Sequence, residues 1–213
     1  MDPGGCSSLI ALRHYPLVML RRRPVVTLLV SGLLLAGCSD TDGGGNGGDG
    51  GGGEANVVTG PAEEGIEGVM AVRVPENTHT EGIVDYGLRP PAGGAHNPVW
   101  LNCGFYDQPT PDENLVHDLE HGAVWLAYSP DLPAADLEVI HEMARTNPKI
   151  VATPYPDLAG GAAVVATAWA RQLTLDSVDD QRLEAFAAQY VDGSQAPEAG
   201  VTCSSSPLGT PIP

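Results

Sequence analysis

The stretch 110–128, TPDENLVHDLEHGAVWLAY, constrains this chain more than any other. Thr110 suits a helix N-cap, Pro111 the first helical position, and Glu113 the reciprocal place in a capping box. Asp112 and Glu113 also set negative charge at the positive end of the helix dipole. Gly122 suits the left-handed residue that ends a helix, and the apolar run after it has the length of a buried strand. A helix here puts His117 and His121, four apart, on one face with Glu120 beside them. Two imidazoles on one rigid face are half of a metal site.

The rest of the chain supplies a frame for that helix. Residues 123–128 read as a strand, and Pro133 opens a helix to Asn147 with Leu137, Ile140 and Ala144 on one face. Residues 149–153 form a strand, 154–161 a turn and 162–169 another strand. Ser177, with Asp180 three on, caps a last helix striped by Leu183, Phe186, Ala187 and Tyr190. This order implies an α+β fold: a small, mostly antiparallel sheet with helices packed on one face. A loop-rich, His-bearing segment precedes it. Residues 68–74 (GVMAVRV) suit a strand and 83–86 a short extended piece, with His79 in the polar loop between them. The Pro/Gly-rich loop 89–98 (RPPAGGAHNP) carries His96, and such loops hold ligands by fixing backbone geometry.

The N-terminus reads as a targeting segment. Arg21, Arg22 and Arg23 form a basic region, residues 25–35 an apolar one, and Leu35-Ala36-Gly37-Cys38 matches a bacterial lipobox. The apolar run is too short to cross a hydrocarbon core of ~30 Å. Residues 1–37 are therefore expected to be a signal segment, with translation starting at Met19 and Cys38 becoming the lipidated first residue. Residues 38–60 follow as lipidated Cys38 and a flexible tether, most of it Gly, Asp and Asn. Residues 61–213 are expected to form one globular domain. These features place the protein outside the cytoplasm, anchored to the cell membrane through its lipid.

Charge narrows the partners. The chain holds 10 basic against 27 acidic side chains, a net charge of −17. Nucleic acid and anionic lipid surfaces are poor partners for such a chain, whereas cations suit it. Once Cys38 is lipidated, Cys103 and Cys203 are the cysteines left in the mature chain, and in an oxidising compartment they are expected to pair.

His14 lies upstream of the signal segment, and His141 reads as a surface residue beside an apolar helix face. His79, His96, His117 and His121 remain as candidate metal ligands, with Glu120 and Asp118 as second-shell groups or oxygen donors. Three or four imidazole nitrogens suit Zn(II) or Cu(II). The mature chain keeps only Met70 and Met143, too few for a soft Cu(I) site. Two other readings stand beside metal binding in the cell envelope. His117, Glu120 and His121 spell H-x-x-E-H, a metal-dependent hydrolase pattern in which Glu120 is the general base. Alternatively, the histidines are structural parts of a non-catalytic envelope interaction module. No nucleotide-binding fingerprint is present, so no nucleotide cofactor is expected.

Several pieces carry a family resemblance: His79, the loop Pro90-Pro91-Ala92-Gly93-Gly94-Ala95-His96-Asn97, Asn102-Cys103-Gly104-Phe105-Tyr106 and Glu113. The block from His117 to Trp125, then Pro154-Tyr155-Pro156 and Ala168-Trp169-Ala170-Arg171, continue the series. Together they resemble an uncharacterised family of exported actinobacterial proteins, domain-of-unknown-function family 3105. The resemblance spans nearly all of the folded domain and implies no particular activity, so the metal reading rests on the side chains.

Overall fold

The computed structural model describes residues 55–62 and 65–213. The stretch read as a signal segment, Cys38 and the Gly-rich residues up to 54 lie outside the described residues. The strands are β1 (Val57–Pro61), β2 (Met70–Arg73), β3 (Gly104–Phe105), β4 (Val124–Tyr128), β5 (Ile150–Pro154), β6 (Val164–Ala168) and β7 (Arg171–Leu175). The helices are α1 (Asp112–Glu120), α2 (Ala134–Thr146) and α3 (Gln181–Tyr190). The described strands form one sheet in the order β1-β2-β7-β6-β4-β5-β3. The pairings from β1 to β4 are antiparallel, and β5 runs parallel to both β4 and β3. The fold is α+β with a mostly antiparallel sheet.

The centre of the sheet is buried on both faces. Val124, Leu126 and Tyr128 of β4 enter one core with Ile150, Ala152, Val164 and Ala166, while Trp125 and Ala127 enter the other with Val151 and Val165. That is why β4 reads as a continuous apolar run rather than an alternating one. Trp125 is fully buried and donates its indole N–H to Thr153 Oγ1 at 2.9 Å.

The expectation of helices on one face holds for α2 and α3, which pack Ile140, Ala144, Leu183 and Phe186 into the first core. It does not hold for α1, whose Leu115, Val116 and Leu119 enter the core on the other face. Chain direction explains the split. The connection from β3 to β4 crosses the sheet one way and that from β4 to β5 crosses back. Parallel crossovers share one hand, so opposite directions put their helices on opposite faces.

Other expectations are corrected in detail. The sheet begins at β1, inside the stretch assigned to the tether, because Val57 and Val58 pair with Arg73 and Val72. Strand β7 was not among the strands expected from the sequence. It follows β6 through a two-residue turn at Trp169 and Ala170, and Ala170 adopts a left-handed φ of 58° without the usual Gly or Asn. Tertiary bonds hold it there: its N–H donates to Ala92 O and its carbonyl accepts from Val72 N–H. The cap of α3 is Asp180, which accepts from Arg182 N–H, and not Ser177.

Candidate metal centre

Helix α1 is set by its ends. Pro111 precedes its first residue, but the capping box does not form. Glu113 Oε1 instead accepts from Val84 N–H at 2.9 Å, so the tertiary fold takes the carboxylate that a local cap would have used. At the far end Gly122 N–H donates to Leu119 O and Ala123 N–H to Asp118 O, the double bond of a Schellman motif. Gly122 has a φ of 89°, and a Cβ there would meet Asp192 Cα at 3.0 Å, so this stop is required both by conformation and by space.

Loops bring the other imidazoles to α1. Thr80 N–H donates to His96 O and His96 N–H to Thr78 O, a parallel bridge that ties the His79 loop to the His96 loop. Asn56 pins the glycines of the latter, accepting from Ala92 N–H and donating to Gly93 O. As a result the ring centroids of His79, His96 and His117 lie 4.9–5.1 Å apart. His79, His96, His117 and Glu120 each offer a ligand atom, all within 4.8 Å of one another. Glu120 Oε2 is 2.9 Å from His96 Nε2 and 3.9 Å from Nε2 of both His79 and His117. Tetrahedral coordination with bonds of ~2.0–2.1 Å separates ligand atoms by ~3.3 Å, so small shifts would close this group on one ion.

The imidazoles are oriented from behind. Nδ1 of His96 lies 2.8 Å from Gly94 O, and Nδ1 of His117 lies 2.7 Å from Asn97 O. Nδ1 of His121 lies 3.0 Å from Thr202 O. A carbonyl only accepts, so each Nδ1 carries hydrogen; in the neutral rings of His117 and His121 this leaves Nε2 with a lone pair, whereas His96 Nε2 meets Glu120 Oε2 at 2.9 Å. Backbone carbonyls behind the ring are the usual partners of metal-ligating histidines. The consequence is sharpest between His117 and His121, whose Nε2 atoms face each other at 3.0 Å. Two buried lone pairs at that distance need a cation between them, either a proton or a metal. Protonation is opposed. Burial pushes His117 down to about 4, against the Asn97 carbonyl, and pushes His121 down as well.

The expected ligand set is therefore revised. His79, His96 and His117 come together, while His121 stands to one side, meeting His117 and a separate group with Glu120 and Glu198. Glu120, expected as a second-shell group or an oxygen donor, stands among the ligand atoms. Asp118 does not serve the imidazoles: it is fully buried, one step around the helix, and neither of its carboxylate oxygens has a hydrogen-bond partner among the described residues. Burial pushes its carboxyl well above the usual carboxylate range. His141 is not a plain surface residue either, since its ring packs 4.6 Å from that of Phe105 on the far face of the sheet. Sequence reasoning missed Glu198 and Trp100. The first carried no signal among so many acids; the second packs tilted against both His117 and His121, with ring centroids 5.7 and 5.4 Å away.

The centre lies at the surface. His96, His117 and Glu120 are buried, but the His79 side chain is 55% exposed and borders a depression of about 250 Å³ with Thr80, Glu81 and Pro98. Because His117 holds protons so weakly, proton competition at this one ligand is expected only as pH drops toward about 4. An NMR titration of the His117 ring in metal-free protein checks this; a ring already protonated at pH 6 contradicts it.

Residues 78–205, more than half of the chain, match the family described as "Protein of unknown function (DUF3105)". No curated protein and no solved structure matches the chain. The matched span takes in all four of these histidines together with Glu120, Cys103, Cys203 and Glu198, so the candidate centre lies within the family's own domain. The chain belongs to the DUF3105 family.

Proposed function

We propose that this domain binds a divalent transition metal, Zn(II) or Cu(II), through His79, His96, His117 and Glu120. The observation that carries this is the convergence of their four ligand atoms within 4.8 Å, with His96 and His117 held by backbone carbonyls behind them. Three nitrogens and one carboxylate oxygen suit these ions. Cys103 is in a disulfide, and Met70 and Met143 belong to β2 and α2, so thiolate and thioether donors do not enter the set. The lipobox at Leu35-Ala36-Gly37-Cys38 supports a role in metal binding or handling at the cell envelope, with the domain anchored through Cys38.

Binding is favoured over hydrolysis. A base role for Glu120 needs a free carboxylate facing a substrate, but its Oε2 is 2.9 Å from His96 Nε2. The depression at His79, about 250 Å³, is smaller than the ~300–1,000 Å³ of ordinary ligand clefts. Elemental analysis of the full chain, purified without an affinity tag, tests the reading. At least one equivalent of zinc or copper per chain is expected. A metal-free preparation that also takes up neither Zn²⁺ nor Cu²⁺ on titration overturns it.

A further inference from the structure

Beside the first group, Glu120, His121 and Glu198 offer a second set of ligand atoms within 4.8 Å of one another. We propose that the centre is binuclear: a second divalent cation sits between His121 and Glu198, and the Glu120 carboxylate bridges the two ions. This rests on the metal-binding reading above and extends it.

The case begins with His121 Nε2. The ring is 3% exposed, and its Nδ1–H is committed to Thr202 O. Nε2 is thus a buried acceptor, and it faces His117 Nε2 at 3.0 Å and Glu198 Oε2 at 3.7 Å. Both are acceptors as well when Glu198 is ionised. Two buried ring nitrogens and a carboxylate at the solvent edge, all acceptors pointed at one another, repel unless a cation joins them. An ion held by the first group takes up the His117 lone pair but leaves His121 Nε2 and the Glu198 carboxylate facing each other, because both are outside that group.

Glu120 can serve both groups. A carboxylate has two oxygens and roughly four lone-pair directions, enough to bridge. Two-metal sites hold their ions ~3.5–4 Å apart, a span such a bridge covers. The Glu198 backbone is docked for the task, its N–H donating to Glu120 O at 3.0 Å. The Glu198 side chain is 53% exposed, so this second position opens to solvent and can load after the first.

The two positions depend on different parts of the chain. Residues of the first come from the loops at 79 and 96 and from α1. The second also needs the C-terminal segment, which carries Glu198 and the Thr202 carbonyl and is held by Cys203 in its bond to Cys103. Disrupting the C-terminal segment should therefore empty the second position and leave the first filled.

The test is a Zn²⁺ titration of the full chain, with metal counted by native mass spectrometry, and Cu²⁺ loading read by electron paramagnetic resonance. Wild type should take two zinc ions, and the two Cu(II) ions should couple and lose most of the isolated-copper signal. Glu198→Gln, at a half-exposed position where folding is not at risk, should take one zinc and show an uncoupled Cu(II) spectrum. A single equivalent in wild type, unchanged in Glu198→Gln, overturns the binuclear centre and leaves the single-ion reading standing. No uptake at all overturns both. Two equivalents that survive in both Glu198→Gln and His121→Ala put the second ion elsewhere and overturn this assignment.

Discussion

His96→Ala and His117→Ala are each expected to weaken metal binding by at least the ~10–100-fold that loss of a supporting contact costs at such centres. Both rings are buried, both give Nδ1–H to a carbonyl so that Nε2 points into the group, and both stand within ligand reach of Glu120. Removing His96 also leaves the Gly94 carbonyl and the Glu120 carboxylate short of a partner, so some fall in stability accompanies the loss. His141→Ala is the control. It deletes a ring packed on Phe105 and should lower stability slightly, yet leave metal affinity unchanged. Competition titrations against a chromophoric chelator, with circular dichroism to verify folding, separate the two effects. Wild-type affinity in folded His96→Ala and His117→Ala would remove the centre.

Cys103→Ser is expected to destabilise the domain by ~2–5 kcal/mol. The bond joins residues 100 apart, and a loop of that length gives ~4.7 kcal/mol in the chain-entropy model. The folded tail has other ties that keep it in place without the bridge. Cys103 N–H donates to Cys203 O, and the Asn102 amide donates to the carbonyls of Ser206, Leu208 and Gly209. These bonds keep the ends near one another when the bridge is absent. For a domain of this size the loss corresponds to a fall in Tm on the order of 5–10 °C. Calorimetry on metal-free protein measures it, and an unchanged Tm would show that the hydrogen bonds alone hold the tail.

What the sequence by itself determined was local or forced by elimination. Pro111 and Gly122 bound α1 because one suits a helix start and the other a left-handed stop, and the four-residue spacing of His117 and His121 follows from the helical repeat. The central strands were legible as apolar runs because both their faces are buried. Cys103 had one partner left once Cys6 was read as part of the signal segment and Cys38 as the lipid attachment, and the bond is present.

Only the tertiary structure decided what depends on distant partners. Glu113 leaves its local cap for an N–H 29 residues away, and Ala170 holds a glycine-like φ because two backbone bonds from other segments keep it there. Glu120 becomes a member of the ligand group only because the His79–His96 bridge delivers two imidazoles to its helix face. Glu198, lost among the acids of the sequence, reaches His121 because the C-terminal segment folds back across the end of α1. Spacing along a helix specifies which side chains share its face. What meets that face is set by crossovers and loop contacts, whose partners are too far apart in sequence to leave a local pattern.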